Sequence, residues 1–208
     1  MKKSKSSHQW LKEHEEDEYV KRARAEGYRS RAAYKLLEIK EKFGILKSGQ
    51  CVVDLGAAPG GWSQVAQKAV GASGRVVALD ILPMEEIAAV TFILGDFTET
   101  GPFEALLAEI AEMPVDLVIS DMAPNLSGMK QVDQPAAAYF VELAIELSEQ
   151  VLKPGGSLVC KCFEGEGING IRNAFRARFK KVTNFKPKSS RSRSPEIFVI
   201  GQGFTKTN

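Results

Sequence analysis

The spacing of apolar positions changes period several times along the chain, and each change marks an element. From Ser30 the spacing is helical: Ala33, Leu36 and Leu37 form one stripe, Ser30 is placed to cap the first turn, and Gly44 to end the helix. Residues 50–56, Gln-Cys-Val-Val-Asp-Leu-Gly, are a short apolar run bounded by turn formers, which predicts a buried strand. A helix follows Gly61, and strands are expected over 75–80 and 90–94. A helix around 103–111, a strand over 115–120, a long helix from about 135 to 152 and a strand over 157–163 come next. A helix near 168–179 and strands near 181–185 and 196–200 close the pattern. Strands that are apolar on both faces and alternate with helices need cover on both sides of a parallel sheet, so the expected class is α/β and doubly wound. In such sheets ligands bind beyond the carboxyl ends of the strands. Residues 1–27 mix Lys, Ser and Glu without apolar periodicity, so this segment is expected to be mobile and residues 28–208 to form one domain.

Composition narrows the class. A chain of 208 residues buries roughly 70% of its unfolded surface and needs neither a disulfide nor a structural metal to hold a core. No apolar run approaches the roughly 20 residues of a spanning helix, and Met1-Lys-Lys-Ser-Lys leads into charge, so a cytoplasmic protein with no membrane partner is expected. The three cysteines, Cys51, Cys160 and Cys162, lie in apolar strand-like runs with no CxxC pair, and His8 and His14 are the only imidazoles. Buried reduced thiols and no metal site follow.

The net charge of +2 hides a strong partition. Residues 1–31 hold nine basic and six acidic residues, residues 32–166 nine and nineteen, and residues 167–208 ten and one. An acidic body with basic ends points to a polyanionic partner.

Three strand ends carry candidate chemistry. Asp54-Leu-Gly-Ala-Ala-Pro-Gly-Gly-Trp62 joins the first strand to its helix, where small residues let backbone amides approach a ligand. It is not the GxGxxG dinucleotide fingerprint. Asp80 closes the second strand about 20 residues past the glycines, where an acid can accept both ribose hydroxyls of an adenosine, and Asp96 follows the third strand. Lys161 interrupts a strand whose other members want burial, and a buried ammonium is costly unless paired, so it is expected at the strand end, pointing into the crevice. Asp121 ends the neighbouring strand, Glu196 opens the last one, and Lys35 lies beside the apolar stripe of its helix.

The run Val53-Asp-Leu-Gly-Ala-Ala-Pro-Gly-Gly-Trp-Ser63 resembles the cofactor loop of S-adenosylmethionine-dependent methyltransferases, specifically the FtsJ/RrmJ ribosomal RNA 2′-O-ribose methyltransferases. The similarity extends over Tyr28-Arg-Ser-Arg-Ala-Ala-Tyr-Lys35, Ser120-Asp-Met-Ala-Pro-Asn125, Phe163-Glu-Gly-Glu-Gly167 and Lys188-Ser-Ser-Arg-Ser-Arg-Ser194. It implies a Rossmann-like sheet of seven strands with the last antiparallel. It also implies that Gly56, Pro59, Gly60, Gly61, Trp62, Asp80, Asp96 and Asp121 bind S-adenosyl-L-methionine. Lys35, Asp121, Lys161 and Glu196 match the catalytic tetrad of these enzymes. The implied reaction is methylation of a uridine ribose in large-subunit (23S-type) ribosomal RNA, presented in the assembled subunit, by a monomer.

Displacement at the methyl carbon of a sulfonium needs in-line positioning and removal of the hydroxyl proton. Lys161 is expected to act as the general base in its uncharged form, with Lys35 and the cofactor's positive charge favouring that form and both acids opposing it. Lys188, Arg191 and Arg193 on the loop over 187–195, together with Arg29 and Arg31, are expected to grip RNA phosphates. Alternatives are a methyltransferase for transfer RNA or an mRNA cap, one acting on a base nitrogen, and a non-catalytic RNA-binding protein. For the second, Asn125 stands where the related [Asn/Asp]-Pro-Pro-aromatic loop has its stacking ring.

Overall fold

The computed structural model describes residues 16–124, 127, 129–165 and 167–206; residues 1–15 of the segment expected to be mobile lie outside the described residues. The first described helix is one that the apolar pattern does not predict. Helix α1 (Glu18–Glu26) buries Val20 and Ala23 alone, too few positions to register as a period. Its ends define it instead. Asp17 accepts the Tyr19 N–H at the start, and Gly27, left-handed at φ 74°, donates to the carbonyls of Ala23 and Arg24 at the finish.

Helix α2 (Ala33–Phe43) starts three residues after Ser30. Ala32 holds the cap position with no side-chain hydrogen bond, and Ser30 supplies its carbonyl to the Ala33 N–H instead of its hydroxyl. Ala33 and Leu36 are buried as expected, joined by Tyr34 and Ile39, while Leu37 is half-buried. Strands β1 (Cys51–Leu55), β2 (Arg75–Asp80), β3 (Val90–Leu94) and β4 (Val115–Ser120) fall where the pattern places them. Between them lie α3 (Gly61–Val70) and α4 (Thr100–Ile110). Helix α5 (Lys130–Val151) begins ahead of Pro135, which sits inside it. Strand β5 (Leu152–Phe163) follows directly and takes in a Lys-Pro-Gly-Gly stretch that reads locally as a turn. Helix α6 (Ile168–Arg176), β6 (Phe179–Phe185) and β7 (Glu196–Phe204) complete the domain, and β7 is longer than expected because Gly201 and Gly203 mask its end.

The seven strands form one sheet in the order β3-β2-β1-β4-β5-β7-β6. All neighbouring pairs are parallel except those made by β7, which runs antiparallel to both β5 and β6. One face packs Leu36, Ile39, Trp62 and Val65 of α2 and α3 against Val52, Leu117, Ile119, Val159 and Phe198. The other packs Leu106, Val141, Ile145 and Phe175 of α4, α5 and α6 against Val53, Val118, Leu158 and Val199. Because β1 is flanked by β2 on one side and β4 on the other, the chain reverses its direction of travel across the sheet there, and the crevice opens over the ends of β1 and β4. Register then settles the other wall. Glu196 pairs with Phe163, so the start of β7 lies at the sheet edge where β5 finishes.

Candidate active site

The glycine loop is pinned to the end of β2. The backbone N–H groups of Gly56 and Ala57 donate to the Leu79 carbonyl at 2.9 and 3.1 Å, and the Ala58 N–H donates to Asp80 Oδ2 at 2.8 Å. Gly56 takes φ 70°, and a Cβ there would stand 2.4 Å from Met122 Cγ, so the loop over β4 presses against it and excludes a side chain. Pro59 follows through a cis bond, and Gly60 and Gly61 open α3, whose first-turn amides have no partners within the helix. The Trp62 indole turns away from this opening. It is buried, donates to the Ala32 carbonyl at 2.8 Å and packs at a tilt against Phe198, so what Trp62 offers the loop is its backbone.

Asp80 Oδ1 accepts the Leu82 N–H at 2.8 Å, so each of its oxygens holds one amide and keeps capacity for a second donor. The Gly95 N–H donates to the Asp80 carbonyl, which sets the turn carrying Asp96 beside it. Asp96 takes both Thr98 hydrogen bonds on Oδ1, leaving Oδ2 without a protein donor among the described residues.

Beneath the loop lies a residue that the motif reading passes over. Asp54 is fully buried in β1, accepts from Ser63 Oγ at 2.6 Å, and has its carboxyl pushed up to about 7 by burial, with Asp121 and Asp80 adding to the rise against the Ser63 hydrogen bond. An acid inside a doubly covered strand is the same signal that singles out Lys161, and it is equally legible in the chain. Asp54, Asp80 and Asp121 thus place three acids near the ends of β1, β2 and β4, close enough for two of them to act on the third.

The four residues expected to carry chemistry converge. Lys161 continues the row of Val159 on the α2/α3 face of β5, where alternate residues share a face. Its Nζ donates to the Asp121 backbone carbonyl at 2.5 Å and stands 3.1 Å from Asp121 Oδ1. Lys35 Nζ reaches across from α2, 3.6 Å from the same Oδ1 and 2.8 Å from Glu196 Oε2. Ser190 completes the chain by donating to Glu196 Oε1 at 2.7 Å. Burial pushes the Glu196 carboxyl up, but Lys35, Ser190 and Lys161 outweigh it and hold it below the usual carboxylate range. Two lysine amines and two carboxyls thus share one enclosed cluster, each with a partner of the other kind to offset its desolvation. Beside it a cavity of about 280 Å³ opens between α2 and the loop leading to β7, lined by Arg31, Lys35, Ser189, Ser190, Arg191 and Glu196.

The basic residues divide. Arg29 spends its guanidinium on the carbonyls of Pro59, Glu85 and Glu86. Arg31 pairs with Asp17 and donates to the Ser189 carbonyl, and Arg191 Nε lies 3.7 Å from Asp17. Lys188 and Arg193 are exposed on the loop, whose backbone is held by Glu38 accepting the N–H groups of Lys188 and Ser189. Asn125 lies outside the described residues. Among the described residues no cluster of His, Cys, Asp and Glu could hold a metal, and no helix is long and apolar enough to cross a membrane.

The chain has known relatives. A ribosomal RNA large subunit methyltransferase E of Cellvibrio japonicus is 55% identical over 204 residues, covering 98% of this chain and 97% of the relative. Its namesake in Pseudomonas aeruginosa is also 55% identical, over 98% and 99% of the two chains. Among solved structures, a ribosomal RNA methyltransferase of Plasmodium falciparum superposes with a TM-score of 0.75 at 27% identity, over 85% of this chain and 98% of that one. Fibrillarin of Aeropyrum pernix, in complex with S-adenosyl-L-methionine, shares the fold at a TM-score of 0.56 and 17% identity, over 84% and 75%. The FtsJ-like methyltransferase model matches residues 28–204, from the turn before α2 to the end of β7, and with relatives of matching length it makes the chain a member of the FtsJ-like methyltransferase family.

Proposed function

We propose that the protein methylates the 2′-oxygen of a uridine ribose in large-subunit ribosomal RNA, as a monomer acting in the cytoplasm on the assembled subunit, with Lys161 as general base. The observation that carries the reading is the enclosed Lys35–Glu196 and Lys161–Asp121 cluster at the mouth of the crevice. When bound, S-adenosyl-L-methionine supplies a methyl group on a positively charged sulfur. Asp80 and Asp96 fit its adenosine, the loop from Gly56 to Gly61 its backbone-facing edge, and the acidic strand ends its positive charge.

Each protein group then has one task. Lys161, uncharged, takes the proton of the ribose hydroxyl at Nζ, and the Asp121 carbonyl and carboxylate hold that nitrogen in place. Lys35 lies between the two acids and offsets their charge, so that they orient Lys161 without imposing a full net negative field. Ser190 fixes the Glu196 carboxylate in turn. Arg31, Lys188, Arg191 and Arg193 flank the cavity and its loop, where phosphates of a folded RNA meet cations by backbone and shape.

The test incubates the protein with labelled S-adenosylmethionine and either naked ribosomal RNA or large subunits, then identifies the modified nucleoside. A methyl on ribose oxygen is expected, and a methyl on a base nitrogen refutes the reading. Lys161→Ala should lose about 10² to 10⁴ of turnover while the cofactor Kd stays nearly unchanged.

A further inference from the structure

Arg29 sits in the turn between α1 and α2, and α3 holds that turn in place. The Arg29 N–H donates to Gln64 Oε1 at 2.9 Å, while Gln64 Nε2 donates to the Gly27 carbonyl at 3.0 Å. From this anchor the guanidinium spans two loops. Nη1 donates to the Pro59 carbonyl at 3.3 Å and the Glu85 carbonyl at 2.6 Å, and Nη2 to the Glu86 carbonyl at 2.7 Å. All three acceptors are peptide oxygens, and among the described residues Arg29 forms no ion pair. Its partners therefore use the planar fork of donors, which a lysine cannot reproduce.

The two loops it joins are the two that hold the cofactor. Pro59 lies in the glycine loop, and residues 81–89 start directly after Asp80. Gly60, at φ 106°, shows how tightly they close: a Cβ there would lie 2.7 Å from Ile87 Cδ1, 2.8 Å from Met84 Sδ and 3.1 Å from Arg29 Nη1. Asp80 links the same pair of loops through Ala58 and Leu82. Removing Arg29 leaves that link but frees the loop after β2, and ordering it would then fall on the cofactor at the moment of binding.

We propose that Arg29 is a positioning residue of the cofactor site, holding the glycine loop and the loop after β2 in their binding shape, and is not a phosphate contact. The proposal rests on the cofactor assignment above. It extends that assignment to a residue that composition and motif place with the RNA-binding cations.

Calorimetric titration with S-adenosylmethionine, without RNA, tests it on the wild type, Arg29→Lys, Arg29→Ala and Arg191→Ala, alongside RNA binding over a range of salt. Arg29→Ala should raise the cofactor Kd about tenfold or more, the loss expected for hydrogen bonds made by a charged donor, and Arg29→Lys should fall between it and the wild type. Both should raise KM for the cofactor while kcat at saturation stays within about twofold, because no reacting atom is touched. The salt slope of RNA binding should be unchanged in both and drop by about one in Arg191→Ala, whose cofactor Kd should not move. An unchanged cofactor Kd in Arg29→Ala, or in Arg29→Lys if circular dichroism shows the alanine variant unfolded, overturns the proposal. Absence of cofactor binding by the wild type instead overturns the cofactor assignment itself.

Discussion

Replacing Asp54 by an asparagine, an amide of the same shape, should stabilise the protein increasingly as the pH rises. In the folded protein the Asp54 carboxyl is pushed from 3.8 to about 7, first by complete burial, with Asp121 and Asp80 nearby adding to it. Between those two pH values the folded state holds a proton that the unfolded state has released, so stability falls as the pH rises through the window and levels off above about 7. At about 1.4 kcal/mol for each pH unit, the full penalty is about 4 kcal/mol, of which roughly one third is already present at pH 5. The amide carries no proton to lose over this range, can still accept from Ser63, and escapes the penalty. The expected gain of Asp54→Asn over the wild type between pH 5 and pH 8 is therefore about 2 to 3 kcal/mol. Urea unfolding of both proteins at half-unit pH steps measures it, and other titrating groups cancel in the difference. A difference that stays flat across the range would mean that Asp54 is already ionised in the folded state, and the account of the buried acid would be wrong.

Glu196→Gln keeps the Ser190 contact and leaves Lys35 with Asp121 at 3.6 Å, so it should cost about 3 kcal/mol at pH 7. Because the Glu196 carboxyl is held low, that cost should fade as the pH falls through its lowered value, which thermal melts at pH 7 and pH 4 can compare. Gly56→Ala meets both the positive φ and Met122, and should lose about 1 to 3 kcal/mol of stability and weaken cofactor binding, readable by melting and titration in parallel. All three thiols are buried, and burial, with Asp116 beside it, pushes Cys51 up to about 11. A thiol reagent at pH 8 should therefore label the native protein far more slowly than the protein in denaturant.

The alternation of apolar runs is enough to derive the doubly wound class and four of the strands nearly to the residue, because a strand covered on both faces has to be apolar throughout. Local pattern fails where stability comes from elsewhere. Helix α1 is made by its caps and by Asp17 pairing with Arg31 across the chain, the end of β7 by ladder partners on β5 and β6 that tolerate Gly201, and the start of β5 by Leu152 pairing with Val115 ahead of a register shift that passes over Lys-Pro-Gly-Gly. A charged residue inside an apolar run marks Lys161, and the same signal marks Asp54, since a buried charge has to be explained by a partner.

Which partner answers which charge is settled by topology. Lys35 and Glu196 stand 161 positions apart, and they meet because β7 is inserted antiparallel between β5 and β6, bringing its first residue to the edge where Lys161 emerges. The arginines show the same limit in the other direction. Arg29 and Arg31 look alike in the chain, yet one faces three carbonyls of the glycine loop and the loop after β2, and the other an aspartate and the loop that carries Ser189. Residue type is a property of the chain, whereas the acceptors that surround a guanidinium are chosen by how distant segments pack.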